Sequence, residues 1–295
     1  ALRRQLQVQG WFDQQQISAP NMAQYLDLVA LGTVADLVPM EHNNRILVAQ
    51  GVARIRAGKA RPGLLALLSI AKRQHHNLQA SDLGFSVGPR LNAAGRLDDM
   101  SLGIECLLSD NEQIATQLAQ ELDELNAQRR HIEADMQQQA SNILAILETS
   151  QDNQMPKCVC LYHPDWHQGV VGLVASRLKE KHHRPVVAFA RADDGSLKGS
   201  SRSIPGLHIS DAMDAVATQN PGLISKFGGH AMAAGLTLEE KNLTWFVEAF
   251  QAHVEKVLNP EDLNAKIITD GNLISDQISM YTAENLREAG PWGQQ

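Results

Sequence analysis

The chain has 295 residues, of which 43% are hydrophobic and 4% aromatic, and its formal net charge is −7. This length accommodates about two domains, and no apolar run approaches the roughly 20 residues of a membrane span. The three cysteines, Cys106, Cys158 and Cys160, are too few for a disulfide framework and lack metal-site spacing. We expect no secretory leader. These features predict a reduced, cytoplasmic protein, with Cys158 and Cys160 on one face of a core strand.

The first hundred residues are predicted to be mostly helical, with helices over 22–30, 44–57 and 62–70. Asp36 follows the first of these helices, in the small and apolar sequence Leu31–Pro39. A single carboxylate at the end of an apolar element can bind Mg²⁺ or Mn²⁺. From these residues alone a capping or loop aspartate is the favoured interpretation, because a two-metal site needs several ligands.

Residues 88–96, Gly-Pro-Arg-Leu-Asn-Ala-Ala-Gly-Arg, predict a polar turn of small residues with Arg90 and Arg96 on either side of Asn92. Guanidinium groups suit phosphate oxygens, and the Asn92 amide can bond either backbone or ligand. Pairing of the two arginines with the neighbouring Asp98 and Asp99 is an equally favoured interpretation.

A long helix is predicted between 110 and 148, where no Pro or Gly occurs and apolar residues recur at mostly helical spacing. The recurring residues are Ile114, Leu118, Leu122, Leu125, Ile132, Met136, Ile143 and Leu147. Ser109 and Glu112 predict a capping box at its start, and the polar residues 151–156 predict its end. One apolar stripe on so long a helix favours a connector between two domains over a homodimeric coiled coil, because the heptad register drifts.

The pattern changes after residue 156 to short strands rich in β-branched residues, predicted over 157–162, 185–190 and 196–203. Helices are predicted over 169–181 and 209–218, and Asp193-Asp194-Gly195 predicts a hairpin turn. An α/β domain over roughly 156–258 follows from this alternation, and a strand over 265–269 is expected to open a further domain.

Two motifs in this α/β region combine polar and basic side chains. Residues 163–172 join the end of a strand to the start of a helix, where α/β folds bind ligands, so His167 and Ser176 are candidates to face one. In Gly199–Ser203, hydroxyl groups surround Arg202 and offer donors to a phosphate or a sugar. The alternatives are a loop histidine, a serine in a helix-packing face and an ordinary polar loop.

The sequence Phe227–Gly235 predicts a tight turn at Gly228 and Gly229, followed by the first turn of a tightly packed helix from Ala231. Successive N–H groups in such a turn can bind an anion at a helix N-terminus, and His230 could bond a phosphate or a metal. A tight turn with a surface histidine is the alternative. Residues 156–235 carry a net +3, against −7 for 110–155, which suits a phosphate-rich ligand.

Five motifs in this order resemble the DHH/DHHA1 phosphoesterase family, and within it the bacterial exonucleases specific for single-stranded DNA. They are residues 32–36, 89–96, 166–172, 200–203 and 227–230, and the resemblance covers essentially the whole chain. It implies an α/β fold composed of the mostly helical C-terminal part of a DHH domain (1–108), a long connector helix (109–150), a DHHA1 domain (151–258) and the beginning of an OB-fold (259–295).

The resemblance also implies roles for individual residues. Asp36 would be the last of the metal-binding aspartates, with Mn²⁺ or Mg²⁺ as cofactor, and would act in catalysis with His167 and His230. Three residues would line the DNA cleft, namely Arg90, Asn92 and Arg96. The phosphate-binding set would comprise Ser176, Ser201, Arg202, Ser203, Gly228, Gly229 and His230.

The implied activity is 5′-to-3′ hydrolysis of single-stranded DNA to mononucleotides by metal-activated water, in DNA repair and recombination. The implied OB-fold would bind single strands by stacking and charge. Single-stranded DNA is the implied partner, together with a single-strand-binding protein and a RecQ-type helicase, and a monomer is expected.

The Asp-His-His motif of the family is absent from these residues, and Asp36 alone represents the metal-binding set. We therefore expect this stretch by itself to bind metal poorly and to hydrolyse nothing. Two alternatives stay open at this point: a phosphodiesterase of the same family that acts on short oligonucleotides or cyclic dinucleotides, and a non-catalytic DNA-binding or scaffold protein with a decayed DHH fold.

Overall fold

The computed structural model describes residues 2–150 and 155–293, which divide into two compact units. Unit 1 comprises the described residues up to Asn126 together with those from Leu273 onward, and unit 2 extends from Ala127 to Asn272. Each unit has its own hydrophobic core.

The described helices follow the predicted order closely, and the three helices predicted in the first hundred residues are all present. Their bounds are Leu2–Val8 (α1), Trp11–Gln14 (α2), Leu26–Ala35 (α3), His42–Arg56 (α4), Pro62–Ile70 (α5), Ala80–Asp82 (α6), Gly88–Leu97 (α7), Ser101–Leu108 (α8), Glu112–Ser150 (α9), Val171–His182 (α10), Ile209–Gln219 (α11), Leu243–Val257 (α12) and Met280–Glu288 (α13). A π-helical turn over Leu83–Val87 joins α6 to α7.

Unit 1 is helical in all of its described residues that form regular structure, and it is built around leucines that alternate with small residues. Leu64, Leu67 and Leu68 of α5 are fully buried or nearly so, as is Ile55 of α4. The hydrophobic core of unit 1 also includes Ala119 and Leu122, so the first turns of α9 pack within this unit.

Unit 2 contains one mixed sheet of five strands: Val159–Tyr162 (β1), Val186–Arg191 (β2), Ser196–Arg202 (β3), Lys226–Gly229 (β4) and Ala233–Glu239 (β5). The spatial order is β1-β2-β3-β5-β4, with β1 parallel to β2 and every other pair antiparallel. Helix α10 packs on β2 and β3, and the core on the other face is formed with α11 and α12. The α/β expectation is confirmed.

The long helix is present as predicted, and its 39 residues correspond to about 58 Å. Its buried stripe contains the predicted Leu122 and Met136 together with three alanines that were not predicted, Ala115, Ala119 and Ala140, whereas Ile114 is 50% exposed. The side chain of the predicted Leu147 lies outside the described residues. The predicted end over 151–156 falls mostly on residues outside the described part. No helix in residues 2–150 or 155–293 is both long enough and apolar enough to cross a membrane.

The expected capping box of α9 is wrong by two residues. Asn111 is the cap: its Oδ1 accepts hydrogen bonds from the backbone N–H groups of Gln113 (2.9 Å) and Ile114 (3.1 Å). Ser109 Oγ instead accepts from the N–H of Asn111 at 3.2 Å. Because the helix begins at Glu112, only Asn111 reaches the unsatisfied N–H groups of the first turn.

The strand predicted over 265–269 is also wrong. Residues 264–274 have no regular structure, and beyond them the described chain contains only a 3₁₀ turn and α13. Ile267 and Ile268 are 91% and 93% exposed, so the β-branched residues that suggested a strand have no neighbour to pair with here. The domain boundaries, including the OB-fold from residue 259, stay a prediction.

All three cysteines are free thiols, of which Cys106 and Cys158 are buried and Cys160 is partly buried. Burial raises the pKa of Cys106 to about 11, and a hydrogen bond to Cys158 together with burial raises the pKa of Cys160 well above its usual range. Cys158 is fully buried in the unit 2 core, and Cys160 packs against that core. Thiols whose pKa is raised, as at Cys106 and Cys160, are poor nucleophiles because the thiolate is the reactive form.

The cap assignment can be tested by substitution. Asn111→Ala is expected to lower the free energy of unfolding by about 1 kcal/mol, because two N–H groups lose their acceptor. Ser109→Ala is the matched control and should cost less, since it leaves both of those bonds intact. Urea unfolding followed by circular dichroism measures both variants, and a larger loss for Ser109→Ala would contradict the assignment.

Candidate functional site

Both predicted phosphate-binding serines of the 199–203 motif lie on the buried face of the sheet, Ser201 in strand β3 and Ser203 directly after it. Ser201 and Ser203 are completely buried. The hydroxyl of Ser201 donates to Ala234 O at 2.8 Å, and that of Ser203 donates to Leu207 O at 2.7 Å. Both hydroxyls are therefore engaged in structural bonds inside the protein, and this arrangement does not support the phosphate contacts predicted for them.

Arg202 lies on the opposite face, where α10 covers the strand. Its Nε donates to Ser176 Oγ of α10 at 3.0 Å, and its Nη1 donates to Ser200 Oγ at 3.0 Å and to the carbonyl of Ser201 at 2.8 Å. Ser176 Oγ in turn donates to Gly172 O at 3.0 Å. A guanidinium held by several oxygens loses little freedom when it binds an anion, because its planar group is already oriented.

Gly172 makes this arrangement possible. A Cβ at this position would lie 2.9 Å from Ser200 Oγ and 3.0 Å from Arg202 Nη2. The absence of a side chain lets the first turn of α10 lie directly over the arginine. The predicted candidates Ser176 and Arg202 are thus brought together, and Ser200 joins them.

His167 lies in the loop between β1 and α10. Its Nδ1 accepts a hydrogen bond from the N–H of Gly169 at 3.1 Å, and its carbonyl accepts from Val170 and Val171 at the start of α10. Because Nδ1 is used as an acceptor, the neutral ring carries its proton on Nε2. In this arrangement His167 is a hydrogen-bond donor, which suits a phosphate oxygen and does not suit a metal ion.

The helix predicted after Gly228 and Gly229 is wrong. These glycines end strand β4, and residues from Ala233 form strand β5, so the motif is a β-hairpin with His230 in its connecting loop. The N–H of His230 donates to Ala233 O at 2.8 Å. The expected anion site at a helix N-terminus therefore does not exist; an exposed histidine in a tight hairpin loop takes its place.

The hairpin loop and the end of β3 lie next to each other. Arg202 pairs in register with Ala233, the N–H of Ser203 donates to Met232 O at 3.0 Å, and the N–H of Ile209 donates to Ala231 O at 2.8 Å. His230 and Arg202, which are 28 residues apart in the chain, are consequently located at the same end of the sheet.

Asp36 of unit 1 immediately follows α3, as the sequence predicts. Its backbone N–H donates to Gly32 O at 3.0 Å, and its side chain is exposed. Leu37 then takes a left-handed φ of 54°, which ends the helix sharply. The carboxylate is accordingly presented to solvent at the end of an apolar helix.

The segment 88–96 is helix α7 and not the predicted polar turn. Pro89 lies at the start of the helix, where its missing N–H is not needed. Arg90 donates to Ser86 O at 2.6 Å and pairs with Asp123 of α9 at 2.8 Å. Asp99, one of the two predicted pairing partners, accepts a hydrogen bond from the N–H of Ser101 at 2.8 Å, and this bond lowers its pKa.

Asn92 and Arg96 lie four residues apart on α7, hence on one face of the helix. The side chain of Asn92 is exposed, and that of Arg96 is partly buried. Asn92 is therefore the member of this motif whose side chain helix α7 presents to solvent.

The described residues do not by themselves fit a divalent metal. No group of three or more His, Cys, Asp and Glu side chains close enough to share an ion occurs within 2–150 or 155–293, side chains of 147–150 aside. An exposed carboxylate such as Asp36 supplies one oxygen ligand group, whereas Mg²⁺ and Mn²⁺ sites use several.

The residues predicted from the sequence do not include Ser200, which bonds Arg202. The two-residue period of a strand puts Ser200 on the face of Arg202, so the sequence contained a signal for it.

Comparison with known proteins connects both units to one family. Residues 155–256 match the family model of the DHHA1 domain. The chain is 56% identical over 294 residues to the single-stranded-DNA-specific exonuclease RecJ of Escherichia coli K12, covering 100% of this chain and 51% of that protein. It is 50% identical over 275 residues to RecJ of Haemophilus influenzae, covering 93% of this chain and 48% of the relative.

Solved structures of RecJ proteins are also similar to this chain. RecJ of Thermus thermophilus in complex with Mn²⁺ superposes with a TM-score of 0.78 at 29% identity, over 96% of this chain and 40% of that one. An exonuclease RecJ bound to manganese gives a TM-score of 0.67 at 31% identity, over 86% and 60% of the two chains.

Residues 155–256 therefore form a DHHA1 domain. Along its whole length the chain is similar to RecJ. It spans about half the length of the curated RecJ proteins that it matches most strongly.

The hairpin geometry predicts different consequences for its two glycines. A Cβ at Gly229 would lie 2.4 Å from Ala233 O and 2.4 Å from Ala234 Cα, and these backbone atoms cannot move aside cheaply. Gly229→Ala is expected to lower the free energy of unfolding by about 2 kcal/mol.

Gly228→Ala is the control, since no atom lies within 4 Å of its added Cβ, and it should change stability by less than about 0.5 kcal/mol. Urea unfolding monitored by tryptophan fluorescence measures both. If both variants lose the same free energy of unfolding, the close approach of the Ala233 and Ala234 backbone to Gly229 is wrong.

Proposed function

We propose that this chain is the phosphate-holding part of an exonuclease that degrades single-stranded DNA from its 5′ end. One observation carries the proposal: Arg202, fixed by Ser176 and Ser200, lies at the same end of the sheet as the exposed His230 loop. The identity to RecJ proteins, whose name states single-stranded DNA as substrate, supplies the substrate class.

The chemistry of these side chains suits a phosphodiester. The guanidinium of Arg202 carries a permanent charge and donates to phosphate oxygens. His167 adds an Nε2–H donor, and the His230 imidazole projects from a loop whose backbone is held at both ends. Held donors of this kind stabilise the charge that develops on phosphate oxygens without having to reorganise first.

We assign the unit 1 residues complementary roles in the same reaction. Asp36 would be one oxygen ligand of a Mn²⁺ or Mg²⁺ ion whose other ligands lie outside this chain. Asn92 and Arg96 would contact the DNA backbone from α7, and Arg90 would position that helix through its bond to Asp123. When bound, the metal supplies an activated water for phosphodiester hydrolysis.

The similarity to RecJ also suggests the compartment, the oligomeric state and the partners of the enzyme. We propose that the protein acts in the cytoplasm as a monomer in DNA repair and recombination, with a single-strand-binding protein and a RecQ-type helicase as partners. The reduced, buried thiols of Cys106 and Cys158 agree with a reducing compartment.

Binding by this chain tests the phosphate-holding role. Arg202→Ala is expected to weaken binding of a labelled single-stranded oligonucleotide by about 2 kcal/mol, roughly 30-fold, because charge-assisted bonds to phosphate are lost. Arg202→Lys should recover only part of that loss, since an ammonium cannot make the forked contact. Fluorescence anisotropy over a range of salt concentrations measures both variants.

The matched control is Arg191→Ala, which removes an equal charge from a half-exposed arginine paired with Glu240 at the end of β2. It should weaken binding no more than any other surface charge does. Unchanged thermal unfolding of Arg202→Ala shows that the site is folded. If Arg191→Ala and Arg202→Ala weaken DNA binding equally, Arg202 contributes only its charge to binding and does not hold a phosphate specifically.

Hydrolysis tests the assignment of the metal. Incubated with 5′-labelled single-stranded DNA and Mn²⁺, the 295-residue chain is expected to release no mononucleotides, because Asp36 alone does not hold the ion. Chelator-treated chain serves as the control. Metal-dependent, stepwise release of mononucleotides by this chain would overturn the assignment.

A further inference from the structure

Helix α9 holds the loop that carries His167 through one buried hydrogen bond. Trp166 directly precedes His167 and is 3% exposed. Its indole Nε1–H donates to Oε1 of Gln139, a partly buried residue of α9, at 2.8 Å. The indole N–H is a donor only, and a buried one needs an acceptor. Gln139 supplies that acceptor from within unit 2.

Further bonds connect this anchor to the imidazole of His167. The N–H of Trp166 donates to His163 O at 3.2 Å, and the two rings are stacked with their centroids 6.2 Å apart. His167 Nδ1 accepts from the N–H of Gly169 at 3.1 Å, and its carbonyl accepts from Val170 at 3.0 Å. Because the loop is closed by its own bonds, the anchor at Trp166 fixes the direction in which His167 Nε2 points.

A second contact of α9 lies six residues earlier and shows why Gln139 matters more. Glu133 is 7% exposed, and its Oε1 accepts from Arg177 Nε of α10 at 3.3 Å. Helix α10 also packs on β2 and β3, so Ser176 is held in place without this ion pair. The loop over 163–170 contains neither helix nor strand. Its position therefore depends on the bond to Gln139.

We propose that Gln139 is a positioning residue for DNA binding. By accepting from Trp166 it fixes the loop so that the Nε2–H of His167 points to a phosphate oxygen of the single strand. A donor that is held in place before the ligand arrives binds more tightly than a mobile one, because less ordering is left to be done. Gln139 acts through Trp166 and needs no contact with DNA of its own. This proposal rests on the proposed function.

Removal of the acceptor tests the positioning role. Gln139→Met keeps the length of the side chain but cannot accept from the indole as an amide does. It is expected to weaken binding of a labelled single-stranded oligonucleotide about 5-fold, and His167→Ala about 10-fold, as for one hydrogen bond to a charged group. The double variant should bind as weakly as His167→Ala alone, because both substitutions remove the same contact. Gln139→Glu, whose carboxylate still accepts, should recover most of the affinity.

Gln138→Met is the matched control, because Gln138 is the exposed neighbour on α9 and its amide bonds Asn142 of the same helix. It should leave the affinity unchanged. Trp166→Phe removes the same bond from the donor side and leaves no indole N–H unpaired. It should behave as Gln139→Met does, and it decides the question if Gln139→Met does not fold. Fluorescence anisotropy measures every variant that circular dichroism shows to be folded.

Nitrogen-15 NMR of the histidine rings reports on His167 without DNA. At a pH where its imidazole is neutral, the unchanged chain is expected to carry the His167 proton on Nε2, as the bond from Gly169 requires. The His167 signals are assigned by their loss in His167→Ala. Gln139→Met should shift them toward a mixture of both tautomers, whereas Gln138→Met should not move them.

The outcomes separate the two proposals. The positioning role is overturned, while the proposed function stands, if the unchanged chain binds the oligonucleotide and Gln139→Met binds it equally well. It is also overturned if the loss in Gln139→Met adds to that in His167→Ala, or if the His167 signals stay the same in Gln139→Met. If the unchanged chain binds no oligonucleotide, the proposed function fails and the positioning role fails with it.

Discussion

The direct packing of α10 on β3 is the contact on which the unit 2 site depends. Gly172 leaves room for it, since a Cβ there would lie 2.9 Å from Ser200 Oγ and 3.0 Å from Arg202 Nη2, and Ser176 and Ser200 both bond the same guanidinium. Arg202 is oriented from a helix and from its own strand together, and the register of β3 with β5 then places this arginine at the end where the His230 loop emerges. A shift of one residue in that register would turn Arg202 to the opposite face.

In unit 1 a glycine also lies at a close contact between elements. A Cβ at Gly84 in the π-helical turn would lie 3.3 Å from Cγ1 of Val34, near the end of α3. Rigidity of this kind suits a site that must hold an extended, flexible ligand, because less ordering is left to be done when the ligand binds.

Much of this fold was predictable from local pattern. The helical period over 110–148 predicted α9, and Asp193-Asp194-Gly195 predicted the hairpin between β2 and β3, in which Gly195 takes a φ of +77°. Errors arose where a local preference was overruled by neighbours. Residues 231–234 are good helix formers in isolation, but pairing of β5 with both β3 and β4 draws them into a hairpin and its second strand.

Some features of the candidate sites were likewise predictable from the sequence, and others were not. Residue types could be taken from the sequence: Arg202, His167, His230 and Asp36 are polar groups at the ends of elements, and five motifs in order identified their family. Which serines share a face with Arg202 could have been deduced from the two-residue period of β3, whereas the bond between Gln139 and Trp166 could not, because these residues are 27 apart in the chain.

The sequence by itself determined the elements, their order and the family, because periodicity, turn residues and motif spacing are properties of neighbouring residues. Only the tertiary structure decided which side chains meet. Ser176 reaches Arg202, Arg90 is tied to Asp123, and Ser201 is enclosed in the core. These contacts depend on packing between segments that are far apart in the chain. A local pattern of residues does not show which distant segments will pack together.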